Sequence, residues 1–345
     1  MIDVAIVGAA GYTGAELTRL VVGHPQLSLT MVTSVADAGT KVSEVYPALA
    51  GVDLAYVAPD LASIAEVAQL AFLAVPHTAA MELVPPLMKA GLTVVDLSAD
   101  FRLTDVATYE RWYGVPHTAA QLLAEAVYGL PEMARAEIVG AQLVACPGCY
   151  PTASVLAALP AIESGVAATD RVIVDAKSGV SGAGRTPAAG THFVSANEAV
   201  SPYKVAIHRH TPEIAQQLTL AAGAPVTVTF TPHLVPMTRG MLATVYLEMA
   251  APVSSADLVS LYAERYADEP FITVHGEGRY PSTAEVRGSN RAHIGVAADE
   301  NAGTIIAMCA IDNLGKGAAS QAVQCANLAL RLDETAGLDA PVPVV

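Results

Sequence analysis

The chain has 345 residues, of which 53% are hydrophobic and 15% are charged, and its formal net charge is −15. This length favours two domains, and so much apolar material argues against intrinsic disorder. The acidic balance argues against a nucleic-acid or membrane-surface partner, because phosphate contacts need clustered lysine and arginine. With no targeting segment and no membrane-spanning apolar run, we expect a cytoplasmic protein with reduced thiols.

The first predicted elements form a glycine-rich turn between a strand and a helix. Residues 3–7 (DVAIV) predict the strand, residues 8–14 (GAAGYTG) the turn and residues 15–22 the helix. Such a turn lets the backbone approach a pyrophosphate at the helix N-terminus, although an ordinary tight turn is the alternative. The predicted cofactor contacts are Gly8, Gly11, Tyr12, Thr13 and Gly14.

The end of the second predicted strand, residues 27–33, indicates which nucleotide binds. An NAD site usually has an acidic residue there, to bind the ribose 2′-hydroxyl. This sequence has no acid until Asp37, and the hydroxyl of Ser34 suits a 2′-phosphate. NADP is therefore favoured, with Lys41 as the nearest cation.

Two further strands at residues 70–75 and 92–97 flank a helix at 79–90, which we expect to break early at Pro85 and Pro86. Alternating strands and helices predict a parallel, doubly wound sheet whose ligands lie beyond the carboxyl ends of the strands. His77, Ser98 and Arg102 follow such ends. A loop histidine bonded to the backbone and an arginine in a surface ion pair are the alternatives. We expect residues 107–131 to be irregular.

The second half of the chain predicts a different architecture. A strand at residues 171–176 leads into a loop rich in glycine and serine, which is either a phosphate-binding loop or a flexible connection. Five more strand-like runs, at 226–232, 241–248, 272–274, 292–296 and 304–311, have one clear helix among them, at 255–266. They predict a mostly antiparallel sheet. A last apolar helix at 318–332 should return to the first domain, and we expect the tail after Glu334 to be loosely held.

A histidine pair stands between these strands, in the sequence HRHTPEI at residues 208–214. In an extended segment His208 and His210 would point to one side. Thr211 is the expected N-cap of the next helix, and Glu213 would lie in its first turn.

The segment ACPGCYPT, residues 145–152, joins a predicted strand to a predicted helix. A zinc site would need a second cysteine pair, but Cys309 and Cys325 fall within apolar elements, so no metal is expected. Cys146 ends the strand and is expected to be packed. Cys149 begins the helix, where the backbone dipole favours a thiolate. With a distant histidine and a nicotinamide site, this thiolate suggests attack on an acyl carbon and hydride transfer to the thioester.

The chain resembles the N-acetyl-gamma-glutamyl-phosphate reductase family, within the aspartate-semialdehyde dehydrogenase-like superfamily. The resemblance rests on GAAGYTG at 8–14, DLSADFRL at 96–103, PGCYPT at 147–152, HRHTPEI at 208–214, and DNL at 312–314 with KGA at 316–318. It implies NADPH-dependent reduction of an acyl phosphate to a semialdehyde in arginine biosynthesis. The family often has a basic residue where this chain has Val35, which weakens the assignment of a 2′-phosphate site. Sister reductases of aspartyl or carrier-bound aminoadipyl phosphate, a non-catalytic NADP sensor and a Cys146–Cys149 redox protein are the alternatives.

The expected architecture is α/β, with a Rossmann-type doubly wound parallel sheet and a second α+β domain with a mostly antiparallel sheet. Residues 1–147 and 314–345 should bind NADP, and residues 148–313 should carry catalysis and form a homo-oligomer, either a dimer or a tetramer. The resemblance implies Cys149 as nucleophile and His208 as its acid/base partner. The substrate-binding candidates are Arg102, His210, Glu213 and Ser98. Ser34, Ser178, Ser181, Gly182 and Asn313 complete the expected cofactor contacts.

Overall fold

The computed structural model describes residues 1–340. The chain divides into two compact units, residues 1–147 with 318–340, and residues 148–317. The chain therefore re-enters the first unit after residue 317, whereas the sequence placed residues 314–317 there. No helix among residues 1–340 is both long enough and apolar enough to span a membrane.

The first unit is built on a six-stranded parallel sheet with the order β2-β1-β3-β4-β6-β5. Its strands are β1 (Ile2–Val7), β2 (Leu27–Thr33), β3 (Leu70–Leu73), β4 (Thr93–Asp96), β5 (Val127–Tyr128) and β6 (Leu143–Ala145). Its helices before β6 are α1 (Tyr12–Val22), α2 (Val42–Val45), α3 (Leu61–Val67), α4 (Ala80–Lys89), α5 (Val106–Tyr113) and α6 (Pro131–Ile138). Every residue of β3 is buried, as expected for a parallel strand covered on both faces. The doubly wound parallel sheet predicted from the sequence is confirmed.

Two local expectations in this unit are wrong. Helix α4 is not broken by Pro85 and Pro86, which both lie inside it. Its buried face, which includes Val84 and Leu87, packs on the core, and this packing outweighs the backbone hydrogen bonds that the prolines cannot donate. The segment expected to be irregular contains α5 and the edge strand β5, which has only two residues and is too short to show a pattern.

The second unit has a seven-stranded mixed sheet with the order β11-β12-β13-β10-β7-β9-β8. Its strands are β7 (Ala167–Gly179), β8 (Ser201–Pro202), β9 (Val228–Val235), β10 (Met241–Met249), β11 (Ile272–Val274), β12 (Ala292–Asp299) and β13 (Thr304–Ile311). Its helices are α7 (Cys149–Glu163), α8 (Phe193–Ala196), α9 (His210–Ala222) and α10 (Ser255–Arg265). The sheet is mostly antiparallel, as predicted, but β7 pairs with β9 and β11 with β12 in parallel.

Alternation along these strands shows which face of the second sheet is covered. In β10 and β13 every second residue is buried, and α7 packs against β7, β10 and β13. The opposite face carries a half-buried apolar row in which Tyr246 stands opposite Ile173 on one side and Ile306 on the other.

The last helix, α11 (Ser320–Ala329), belongs to the first unit and packs on α1, α6 and β4. The tail that follows it is not loose. Glu334 accepts a hydrogen bond from Arg135 Nε at 2.9 Å, and Asn327 Nδ2 donates to the carbonyl of Ala336 at 2.9 Å. Leu338 is buried. The sequence missed these contacts because the Arg135–Glu334 pair spans 199 positions and the Asn327–Ala336 pair joins a helix to a segment without a periodic pattern. The expectation for residues 341–345 falls outside the described residues.

Candidate active site

The glycine loop of the first unit has room for an anion at a helix N-terminus. Gly8 has φ +83°, and a Cβ there would collide with the carbonyl of Ala74. A Cβ at Gly14 would lie 2.5 Å from the Cα of Ala9, so these two glycines allow close packing of the loop. Among residues 1–340, a Cβ at Gly11 would meet only the Gly8 carbonyl oxygen, at 3.8 Å. Since no side chain caps α1 and its first turn has no acidic residue, the loop fits a pyrophosphate.

Next to this loop, β2 ends at Thr33 and is followed by Ser34, and both hydroxyl residues are buried. Thr33 Oγ1 accepts a hydrogen bond from the Gly8 amide at 3.3 Å. Ser34 Oγ donates to Asp37 Oδ2 at 2.8 Å and accepts from the Asp37 amide at 3.1 Å. Lys41, the cation nearest in the sequence, lies 3.3 Å from Asp53. A carboxylate therefore contacts the serine expected to bind a 2′-phosphate.

The segment after β4 is a buried hydrogen-bonded turn. Asp96 accepts from the amide and the hydroxyl of Ser98, at 2.8 and 2.7 Å, and Ser98 Oγ accepts from the Asp100 amide at 3.1 Å. Burial raises the pKa of Asp96 to about 7, against the lowering effect of Ser98. Ser98 is thus engaged within the turn, at the carboxyl end of a central strand.

Arg102 lies in the same segment and is only 5% exposed. Its Nη2 donates to the carbonyl of Leu97 at 2.7 Å. Its burial does not agree with an ion pair at the surface, and the hydrogen bond to Leu97 anchors the side chain within the first unit. His77 accepts from the Ala99 amide at 3.2 Å, which agrees with a loop histidine bonded to the backbone.

Cys149 is the first residue of α7 and is half-buried, whereas Cys146 is buried, and neither forms a disulfide. The preceding amide, of Gly148, donates to Glu213 Oε1 at 2.9 Å. Glu213 is 1% exposed, so this hydrogen bond to a buried carboxyl fixes the turn that presents the thiol. Gly317 packs directly against Cys149, because a Cβ at residue 317 would lie 2.7 Å from the cysteine Cβ.

An aromatic cluster surrounds His208, which is 8% exposed. Its ring centroid lies 4.8 Å from that of His210, 5.2 Å from Phe230, 5.5 Å from Tyr203 and 5.6 Å from Tyr150. The Tyr203 hydroxyl donates to that of Tyr150 at 3.1 Å. Burial raises the pKa of both tyrosines, and the negative charge of an ionised Cys149 raises both further, so both hydroxyls are within electrostatic reach of the sulfur.

His208 also determines how the chain enters α9. Its Nδ1 accepts the His210 amide at 3.1 Å, so the neutral ring carries its proton on Nε2. The expected extended segment is wrong, because this bond turns the chain and α9 begins at His210. Thr211 is not the N-cap, and its buried hydroxyl has no hydrogen-bond partner among residues 1–340.

The glycine–serine loop after β7 meets the residue that follows β13. Asn313 Nδ2 donates to Ser181 Oγ at 2.9 Å, and Asn313 Oδ1 accepts from the Gly240 amide at 2.8 Å. A Cβ at Gly182 would lie 3.0 Å from Ser178 Oγ and 3.6 Å from Asn313 Nδ2. The structure thus brings Asn313 next to the three predicted residues of this loop, although Asn313 lies 132 positions after Ser181.

Comparison with known proteins agrees with both units. Residues 3–141 match the family model described as semialdehyde dehydrogenase, NAD binding domain, and residues 149–313 match semialdehyde dehydrogenase, dimerisation domain. Over 341 residues the chain is 51% identical to proteins named N-acetyl-gamma-glutamyl-phosphate reductase from Citrifermentans bemidjiense and Halorhodospira halophila, with 98% of each chain covered.

The chain belongs to the N-acetyl-gamma-glutamyl-phosphate reductase family.

Solved structures of more distant proteins share the fold. Aspartate semialdehyde dehydrogenase II from Vibrio cholerae has a TM-score of 0.72 at 18% identity, covering 96% of this chain and 98% of that one. The enzyme from Candida albicans, solved with NADP, has a TM-score of 0.71 at 14% identity, covering 95% and 98%.

Sequence reasoning missed two residues around the cysteine. Tyr203 lies five residues before His208 in a stretch without a helical or strand pattern, and only the fold shows that its ring reaches the cluster. Gly317 stood in a matched motif, but its role as packing surface for Cys149 follows from a contact across 168 residues.

Proposed function

We propose that the chain catalyses the NADPH-dependent reduction of N-acetyl-L-glutamyl 5-phosphate to N-acetyl-L-glutamate 5-semialdehyde and phosphate, in the arginine pathway of the cytoplasm. The observation that carries the proposal is Cys149 at the start of α7, with its turn tied to Glu213 and the His208 cluster nearby. Relatives that are 51% identical over nearly the whole chain bear the name of this activity.

The proposed covalent chemistry begins at Cys149. The thiolate, favoured by the helix N-terminus, attacks the acyl carbon, a carbon–sulfur bond forms and the bond to the phosphate oxygen breaks. The departing phosphate takes up the one proton that the net reaction consumes. A bound nicotinamide supplies the hydride that reduces the thioester carbon. The carbon–sulfur bond then breaks, which releases the aldehyde and restores the thiolate.

His208 is assigned to the oxygen of the reacting carbonyl. Because its Nδ1 accepts a backbone amide, the proton of the neutral ring stands on Nε2. We therefore assign it first as a hydrogen-bond donor to the developing oxyanion and second as the proton carrier. We assign Glu213 a positioning role through the Gly148 amide, beside the substrate contact expected from the sequence.

The remaining assignments concern the anionic groups of the substrate. Arg102 is assigned to the phosphate because cations are scarce in this chain. Ser98, which follows the same strand β4, is assigned as a further substrate contact. His210 is assigned to the substrate carboxylate.

Arg102→Lys keeps the charge but loses the planar donor pair, so KM for phosphate in the reverse reaction should rise at least about tenfold. An unchanged KM would remove Arg102 from the site.

NADP is the proposed cofactor, held by the glycine loop of residues 8–14, by Ser34, and by Ser178, Ser181, Gly182 and Asn313. The structure from Candida albicans, which was solved with NADP, shares the fold of this chain and supports a nicotinamide dinucleotide as the cofactor. The contact of Asp37 with Ser34 instead favours NAD, because a carboxylate repels a 2′-phosphate. Comparing kcat/KM for NADPH and NADH decides between them, and a preference for NADH would overturn the choice of NADP.

We also propose a homo-oligomer, a dimer or a tetramer, formed through the half-buried face of the second sheet around Ile173, Tyr246 and Ile306. The matching family model is described as a dimerisation domain. Light scattering should give a multiple of the 35.4 kDa chain mass. A monomer at assay concentration would refute this proposal.

The test of the activity is the reverse reaction, followed as NADPH formation from NADP, phosphate and a semialdehyde. We expect turnover with N-acetylglutamate semialdehyde and little with aspartate semialdehyde. Cys149→Ser should abolish turnover while retaining cofactor binding, whereas Cys146→Ser should be nearly silent. Equal loss in both cysteine variants would favour a redox protein, and activity on the aspartyl compound alone would favour the sister enzyme.

A further inference from the structure

Two histidines and a glutamate meet beside β11 and β12, at the edge of the second sheet and outside the residues assigned above. His275 follows β11, His293 lies in β12, and Glu285 lies in the loop between these two strands. One ligand atom from each side chain lies within 4.8 Å of the other two.

The distances around Glu285 match those between ligands of one metal ion. Its Oε2 lies 3.0 Å from His293 Nδ1 and 3.3 Å from His275 Nε2. Two ligands that each bind zinc at about 2.0–2.1 Å in tetrahedral geometry are about 3.3 Å apart. Small rotations of the side chains would therefore bring all three atoms to bonding distance of one ion.

Of the three side chains, His275 has the polar atom that hydrogen bonds account for least. Its side chain is 5% exposed, and its Nε2 has no partner of hydrogen-bond geometry among residues 1–340, although Glu285 Oε2 is 3.3 Å away. A buried ring nitrogen without a hydrogen bond is costly, whereas a metal ion would satisfy it. Arg279 is the competing cation, but its side chain is 69% exposed and lies 3.7 Å from the other carboxylate oxygen, Oε1.

The loop that carries Glu285 is fixed on the sheet by two glycines. A Cβ at Gly295 would lie 2.9 Å from Pro281 and 3.0 Å from the carbonyl of Arg279, so the loop backbone rests where a side chain would stand. Thr283 packs in the same way against Gly240, because a Cβ at Gly240 would lie 2.9 Å from the Cβ of Thr283. His293 is two residues before Gly295 in β12 and so points to the same face of the sheet. The packing holds Glu285 over His293 without any ion.

We propose that His275, Glu285 and His293 form a binding site for a first-row divalent transition metal, with Zn2+ as the preferred ion. Two imidazoles and one carboxylate are a ligand set that Zn2+ accepts, with water in the fourth position. The ion would clamp the loop at residues 276–291 to β12. The site is separate from the cysteine chemistry and stands whether or not the proposed reaction is correct.

The experiment measures the binding of Co2+, because the visible absorption of this ion reports tetrahedral coordination. Tag-free full-length protein carrying Cys149→Ser is treated with chelator, dialysed and titrated with Co2+, and then challenged with Zn2+. We expect one Co2+ per chain with tetrahedral absorption bands, displaced by one equivalent of Zn2+. The serine at position 149 removes the thiolate that would otherwise compete for the ion.

His293→Ala and Glu285→Gln, in the same background, should each weaken Co2+ binding at least about 100-fold, because removing a ligand costs more than removing an outer-shell partner. His192→Ala is the matched control, since His192 is exposed in the same unit. Circular dichroism shows whether each variant is folded. Absence of Co2+ binding, or binding that His293→Ala and Glu285→Gln leave intact in folded protein, would overturn the proposal.

Discussion

The carboxyl of Asp96 should make the first unit less stable as pH rises. Asp96 is fully buried, and burial, with a smaller contribution from the charge of Asp100, raises its pKa from 3.8 to about 7. The folded chain therefore holds this proton more tightly than the unfolded chain does. The contribution of this carboxyl to the free energy of unfolding is largest below about pH 4. It is lost as the pH rises to about 7, and it does not change above that pH.

The size of the effect follows from the raised pKa. Each pKa unit corresponds to roughly 1.4 kcal/mol, so the shift from 3.8 to about 7 is worth roughly 4 kcal/mol. Asp96→Asn mimics the neutral acid, because its oxygen can accept from the Ser98 amide and its NH2 group can donate to the Ser98 hydroxyl. The variant should match the parent near pH 4 and exceed it by up to roughly 4 kcal/mol above pH 7.

Guanidinium unfolding of both proteins, from about pH 4.5 to about pH 8, measures this difference. Trp112 is the only tryptophan and lies in α5 of the same unit, so its fluorescence reports the unfolding of this unit. The informative quantity is the difference between variant and parent at each pH, since other titrating groups affect both proteins. A difference that does not change with pH, or one that shrinks as pH rises, would contradict a raised pKa of Asp96 in the folded chain.

Two further changes test the surroundings of the cysteine. Glu213→Ala removes the acceptor of the Gly148 amide, so kcat of the reverse reaction should fall about tenfold, equal to about 1.4 kcal/mol, and Glu213→Gln, which keeps an acceptor, should restore most of it; an unchanged kcat of Glu213→Ala in steady-state assays would contradict the positioning role. Gly317→Ala would force a methyl group against Cys149, so unfolding should become easier by about 1–3 kcal/mol and iodoacetamide should alkylate the thiol more slowly. Gly190→Ala is the control, because a Cβ there meets no atom of the described residues within 4 Å, and equal effects of the two alanines would show that the contact is unimportant.

The sequence predicted the parts of the fold that local patterns determine. Strands β2, β11 and β13 begin and end at the predicted residues, because apolar runs bounded by turn residues specify both type and extent. The unbroken length of helix α4 and the presence of strand β5 were not predicted, for opposite reasons. Burial of one face overrides two prolines in α4, and two residues are too few for any periodicity in β5.

The site was predicted less completely than the fold. Cys149, His208 and Asn313 stand in recognisable motifs, but a motif does not tell what each side chain contacts. Only the folded chain shows that Glu213 binds the Gly148 amide and that Tyr203 joins the histidine cluster. The Glu213–Gly148 and Tyr203–Tyr150 hydrogen bonds join residues 65 and 53 positions apart along the chain, beyond the reach of any local pattern.

The most direct test of the account is the covalent state of Cys149. The protein is mixed with N-acetylglutamyl phosphate, generated in place, without NADPH, then quenched in acid and digested for peptide mass spectrometry. We expect an N-acetylglutamyl thioester on the peptide that contains Cys149, and none on that cysteine in a matched sample given N-acetylglutamate and phosphate. Absence of the adduct, in protein that reduces the same acyl phosphate once NADPH is added, would contradict the thioester mechanism.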